Sequence, residues 1–142
     1  MEKLTPEQTQ EIENLMETWG AWVYSGRLEK REVSMLGQLM ARVNPQKYQN
    51  RPMCDDDTGL LIDEIMQEIK IESEPAFEFL VNYYVYLASN TQVAIRYYRK
   101  TDKSGKRPCL RTYYYVANRV LDEYRLKIHK RFNQLKSLQK TG

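Results

Sequence analysis

Apolar residues recur at three- and four-residue spacing along most of the chain, a period that predicts helices and leaves almost no strand signal. Thr5-Pro6-Glu7-Gln8 has the form of a capping box with proline at the first helical position. Ile12, Leu15, Met16, Trp19, Trp22 and Val23 then follow in helical register until Gly26. A shorter stripe of Leu36, Leu39, Met40 and Val43 ends at Asn44-Pro45, because proline disfavours helical geometry in the residue before it. From Gln46 to Met53 no period is visible, so irregular backbone is expected there. Asp55 or Asp56 can cap a third helix, striped by Leu61, Ile62, Ile65, Met66 and Ile69 up to about Lys70. Ser73-Glu74-Pro75 opens a fourth, expected over about Pro75 to Ala88 with Phe77, Leu80, Val81, Tyr84 and Leu87 on one side. Asn90 or Thr91 can cap a short fifth helix to about Tyr98. Lys100 to Pro108 is polar and basic, hence a loop. The last helix is long, with Leu110, Tyr114, Ala117, Leu121, Tyr124, Ile128 and Leu135 at near-heptad spacing.

These elements predict an all-α protein: a compact helical body with a C-terminal helix-turn-helix module and a long final helix. The expected division is an N-terminal helical body over residues 1–72 and a DNA-binding module over residues 73–142. A length of 142 residues suits one ordinary domain, and no apolar run approaches the roughly 20 residues needed to cross a bilayer. Met1-Glu2-Lys3-Leu4 lacks the features of a secretory signal, so a cytoplasmic location is expected, with Cys54 and Cys109 as free thiols. Two cysteines and the single His129, far apart and without CxxC or HxxxH spacing, do not make a structural zinc set. Neither a metal nor another cofactor is expected, and no nucleophile-base motif or phosphate-binding glycine loop marks an enzyme.

Charge changes the picture. Residues 1–92 hold 8 Lys and Arg against 16 Asp and Glu, whereas residues 93–142 hold 14 against 3. A net charge of +3 therefore conceals an acidic half and a basic half. Clustered cations displace counterions from a phosphate backbone, which points the basic half toward nucleic acid. In a helix-turn-helix the last helix enters the major groove and the preceding one braces the backbone. Taking the long helix as the reading element, Leu110, Tyr114 and Ala117 face inward. Arg111, Thr112, Tyr115, Asn118 and Arg119 then face DNA, while Arg96, Arg99, Lys103, Lys106 and Arg107 meet phosphates. The near-heptad stripe from Leu110 to Leu138 could instead be a dimer seam, although intramolecular packing is favoured. Asp55, Asp56 and Asp57 with Asp63 and Glu64 are the one cluster suited to a divalent ion for phosphodiester hydrolysis. Helix capping is the simpler account of them. Trp19 and Trp22 read as core anchors, or, if exposed, as a protein-binding hot spot.

Three marks together resemble a known family. They are Trp19-Gly20-Ala21-Trp22; the block Arg51-Pro52-Met53-Cys54-Asp55-Asp56-Asp57-Thr58-Gly59-Leu60-Leu61-Ile62-Asp63; and Tyr83-Tyr84-Val85-Tyr86 ahead of the helix-turn-helix. They are similar to the late-gene antitermination Q proteins of lambdoid phages, in their shorter, zinc-free branch. The similarity spans about Leu15 to Ala94, and the Arg-Pro-x-Cys-Asp-Asp block is its most specific part. It implies a non-enzymatic factor in the bacterial host cell whose C-terminal module resembles region 4 of sigma factors and binds double-stranded DNA near the phage late promoter. Such a factor loads onto RNA polymerase, with its sigma factor, at a promoter-proximal pause. It stays near the RNA exit channel, narrows it, and suppresses pausing and termination. Trp19, Trp22, Arg51, Asp55, Asp56 and Asp57, as family marks outside the DNA module, become candidates for the polymerase contact. A second copy of the chain on DNA is a further candidate partner. Two departures stand out: a glycine or small residue is usual where Leu87-Ala88 stands, and the connection from Lys100 to Pro108 is longer than in the family. The alternatives are a simple helix-turn-helix transcription regulator and, less favoured, a metal-dependent nuclease.

Overall fold

Side-chain caps set the helix starts in the computed structural model, which describes residues 3–25, 52–102 and 104–141. The first helix, α1 (Pro6–Tyr24), is closed by the expected capping box: Gln8 N donates to Thr5 Oγ1 at 3.1 Å while Thr5 N donates to Gln8 Oε1 at 3.0 Å. Asp55 caps α2 (Asp56–Glu72), accepting from Thr58 N at 2.7 Å, and Ser73 caps α3 (Glu74–Tyr84) with proline in its first turn. Next, α4 (Asn90–Thr101) is capped by Ser89, one residue ahead of the expected Asn90 or Thr91, because Ser89 and Gln92 form a second capping box. The last helix, α5 (Leu110–Thr141), has 32 residues. No strand occurs among the described residues, and no described helix is long and apolar enough to cross a membrane. The expected helix around Leu36 to Val43 lies outside the described residues, as do Arg51 and Lys103.

One core joins the five described helices. Ile12, Met16, Trp19 and Trp22 of α1 pack with Ile62, Ile65, Met66 and Ile69 of α2, and with Phe79, Leu80 and Tyr84 of α3. Val93 and Ala94 of α4 and a stripe along α5, from Val116 through Leu121, Tyr124 and Ile128 to Leu135, complete it. Burying a large aliphatic or aromatic side chain contributes roughly 1.5 to 3 kcal/mol, so this stripe is what holds α5 on the body.

Charge reinforces that seating. Arg125 of α5 pairs with Glu13 of α1 at 2.7 Å, Lys127 with Glu72 at 2.7 Å, and Arg131 with Glu68 at 2.9 Å. Tyr84 Oη also donates to Glu13 Oε2 at 2.8 Å, so the Glu13 carboxylate ties α1, α3 and α5 together. Part of the charge split is therefore internal complementarity, in which acids of the first half neutralise cations on the far part of α5.

Two expectations about helix extent and register are corrected. The fourth predicted helix stops at Tyr84 rather than Ala88, because Leu87 takes a left-handed backbone with φ of 56° and turns the chain. At the start of α5, Leu110 is 71% exposed and Tyr114 is 54% exposed, so neither faces inward as expected. Ala117 does, joined by Val116 and Val120, while Tyr113 rather than Tyr114 turns in, its ring 5.8 Å from that of Tyr98. The near-heptad stripe becomes a packing stripe only where α5 has neighbours to pack against.

Candidate nucleic-acid interface

The acidic block lies where α1 meets α2. Trp22 donates its indole proton to Asp56 Oδ1 at 2.8 Å, and its ring lies directly over Gly59. A Cβ added at Gly59 would come within 2.5 Å of the ring, so only glycine lets α2 approach this closely. Backbone N of Cys54 donates to the Thr18 carbonyl at 3.3 Å, fixing the strand of chain that enters α2. Partial burial, then the neighbouring Asp55 charge, push the Cys54 thiol up to about 11, which leaves it protonated and unreactive.

This geometry corrects the assignment of Trp19 and Trp22 to a polymerase contact. Both are 2% exposed and belong to the core, so neither indole offers a surface to a partner. Asp55 is occupied as a helix cap, and the hydrogen bonds from Thr58 hold its carboxyl below the usual range. Asp56 is engaged by Trp22, while Asp57 is exposed in the first turn of α2. No group of three or more His, Cys, Asp or Glu stands together to hold a metal among the described residues.

The tight helix-turn-helix is formed by α3, residues 85–89 and α4. Within the turn, Ala88 N donates to the Asn82 carbonyl at 2.9 Å and Tyr86 N to the Val81 carbonyl at 3.4 Å. Leu87 supplies the left-handed residue where the family pattern has a small residue or glycine. The element that follows a short turn of this kind is α4, not α5, which comes after the longer connection through Asp102 and Cys109. The long helix therefore lies outside the tight helix-turn-helix, whose second helix is α4. Val93 and Ala94 of α4 face the core, whereas Gln92 and Arg99 are exposed, with Thr91 and Ile95 half-buried beside them. Gln92 closes the capping box with Ser89, a start signal that the sequence reading placed one or two residues later.

The cations named from sequence divide into two groups. Arg96 points back at α3, with Nη2 donating to Glu78 Oε1 at 2.6 Å, and Lys100 bonds the other oxygen of the same carboxylate. Partial burial raises the Glu78 carboxyl, but the bonds from Lys100 and Arg96 outweigh it and hold the group below the usual range. By contrast, Arg99, Lys106, Arg107, Arg111 and Arg119 are exposed and make no ion pair among the described residues. Arg99, Lys106 and Arg107 line a cleft of about 400 Å³ with Tyr98, Asp102, Gly105 and Tyr113. Asp102 is held below the usual carboxylate range by Ser104 and Tyr98, so this one acid inside the cleft is ionised and already bonded. Tyr115 is exposed beside Arg111, and Asn118 and Thr112 are half-buried. Thr112 Oγ1 lies 3.5 Å from Cys109 Sγ and, by bonding it, lowers the thiol from its ordinary value.

A family model described as phage antitermination protein Q matches residues 9–121. The prophage antitermination protein Q homolog QuuD of Escherichia coli (strain K12) is 28% identical over 75 residues, 53% of this chain and 58% of that protein, so the match spans little more than half of this relative. Among solved structures, a selenomethionine derivative of transcription antitermination factor Q21 aligns with a TM-score of 0.75 at 32% identity, covering 99% of this chain and 97% of that one. Transcription antitermination factor Q21 in complex with Q21-binding-element DNA aligns with a TM-score of 0.74 at 31% identity, over 99% and 100% of the two chains.

Proposed function

The chain belongs to the phage antitermination protein Q family, and on that premise we propose that it is a phage transcription antitermination factor that binds double-stranded DNA near a late promoter and acts on bacterial RNA polymerase. It is a binding protein and not an enzyme. The observation that carries the DNA assignment is where unpaired positive charge remains. Arg125, Lys127 and Arg131 on the far part of α5 are neutralised by acids of α1 and α2, whereas Arg99, Lys106 and Arg107 stay open in the cleft that follows the helix-turn-helix and Arg111 is exposed at the start of α5. The Q21 relative solved with its binding-element DNA has the same fold and supports this reading.

In this reading, residues 73–142 contain the DNA module. The outward face of α4 enters the major groove with Gln92 and Arg99, whose side chains have the donor patterns that suit adenine and guanine. Lys106, Arg107, Arg111 and Arg119 meet phosphates, with Thr112, Tyr115 and Asn118 alongside, and Lys103 belongs to the same basic connection in sequence. The acidic body carries the polymerase contact, for which Asp57 and Arg51 remain as candidates among the family marks. The factor loads at a promoter-proximal pause and suppresses pausing and termination by narrowing the RNA exit channel.

In transcription with purified polymerase on the chain's own late-promoter template, added protein raises readthrough of a downstream terminator. Absence of that effect on a template the protein binds would reduce it to a DNA-binding regulator. Retention of the protein on elongating polymerase after it has left the DNA site excludes the regulator version.

A further inference from the structure

We propose that Glu78 is a built-in counter-anion that withholds Arg96 and Lys100 from DNA phosphates, limiting nonspecific affinity while the neighbouring Arg99 stays open to the duplex. This rests on the DNA-binding reading above and assigns a specificity-determining role to a residue that need not touch DNA.

The argument begins with placement. Arg96 and Lys100 are four apart on α4, so they project from one side of the helix, and that side is turned to α3. Glu78 on α3 receives both, one on each carboxylate oxygen, so one acid holds two cations and the cluster keeps a single net positive charge. Gln92 and Arg99, four and three positions from Arg96, lie on the adjoining face and are exposed.

Stability is a weak explanation for this clasp. The Arg96 and Lys100 side chains are 37% and 44% exposed, and ion pairs that accessible to water contribute little to folding. Arg96 Nε is also buried without a hydrogen-bond partner, which a purely stabilising pair would not require. The same exposure means that solvent, and therefore a phosphate, reaches the rim of the cluster. Without the carboxylate, two flexible cations beside the groove-facing helix would be available to any duplex irrespective of sequence. Each phosphate they neutralised would steepen the salt dependence, log K against log salt, by about 0.9. A carboxylate that occupies them removes that sequence-independent attraction while leaving Arg99 free, and discrimination between sites rises because binding to wrong sites falls.

The test is duplex binding across a range of salt concentrations, on a random-sequence duplex and on the chain's own late-promoter segment, with wild type and Glu78→Gln. The amide keeps the shape and removes the charge. Glu78→Gln is expected to bind the random duplex several-fold more tightly at low salt, with a slope steeper by about one to two, and to discriminate less well between the two duplexes. Adding Arg96→Gln and Lys100→Gln to that variant returns the slope to the wild-type value. A folded Glu78→Gln that binds the random duplex with unchanged or weaker affinity and an unchanged slope overturns the proposal while leaving the DNA-binding reading intact. If Glu78→Gln does not fold, the Arg96→Gln/Lys100→Gln pair decides. Unchanged random-duplex binding supports withholding, and a slope shallower by one to two overturns it, because those cations would already have been on phosphates. If only Glu78→Gln binds duplex, the proposal holds in its strongest form. If neither it nor wild type binds any duplex, the proposal and the reading beneath it both fall.

Discussion

At the α1–α2 junction, polar chemistry faces inward: Asp55 closes a helix, Asp56 takes the Trp22 indole proton, and Gly59 lets the ring settle on α2. At the corner where α4 leads into α5 it faces water, with Arg99, Lys106 and Arg107 unpaired around a cleft and Arg111 exposed at the start of α5. The first region carries the more specific motif, although the family match over residues 9–121 runs through both. A short motif can be distinctive because a fold needs it, since few residue sets satisfy an indole, a helix start and a close backbone approach together. Open charge is less distinctive in sequence but costs little to keep and is free to meet a ligand.

The comparison breaks if the junction proves to be a binding surface or the corner proves structural. Trp22→Ala has the largest expected effect, a loss of about 3 to 5 kcal/mol in denaturant unfolding, with duplex affinity of the folded fraction unchanged. Gly59→Ala tests the junction from the other side. Alanine is the better helix former by about 1 kcal/mol, yet its Cβ would collide with the Trp22 ring, so a net loss of about 1 to 3 kcal/mol is expected by the same measurement. At the corner, Arg111→Ala should leave the melting temperature in place. It should weaken binding at the cognate site by about 1 to 3 kcal/mol if it reads a base, and equally on random duplex if it meets only phosphate. Leu87→Gly relieves a left-handed leucine but loosens the unfolded chain, so stability stays within about 0.5 kcal/mol of wild type, whereas Leu87→Val costs about 1 to 2 kcal/mol. The smallest effect concerns pH. Because the folded Asp55 carboxyl lies below its ordinary value, its charge stabilises the protein above the unfolded carboxylate range, and that contribution is lost as pH falls through the depressed value. Melting temperatures of wild type and Asp55→Asn, which keeps a cap without the charge, should therefore converge in acid.

Much of the helical frame was legible in sequence. Thr5, Asp55 and Ser73 are caps where the chain marks them, and the α1 and α2 stripes are core stripes. The end of α3 was not, because Val85 and Leu87 continue the helical period and no glycine signals the turn that Leu87 makes. That hidden turn also made α4 the second helix of the motif, since without it the long basic helix looks like the terminal element. The pairing of Glu13 with Arg125, 112 positions apart, could not be read from a charge count, and it changes what the count means. The periodicity of Trp19 and Trp22 correctly placed them in the core, whereas the resemblance drew them toward a surface.

The length of α5 has a consequence for the whole molecule. At about 1.5 Å per residue, its 32 residues span about 48 Å, comparable to some fourteen base-pair steps of duplex. It begins at the open corner and continues past the ion pairs that fasten it to α1 and α2, so it works as a ruler with an angular scale as well as a linear one. A site that fixes the corner on DNA also fixes the heading of the acidic body. Deleting one residue from the helix between Asn118 and Arg125 would turn the stripe beyond it by about 100° and carry Ile128, Leu135 and the ion-paired Arg125, Lys127 and Arg131 away from their partners.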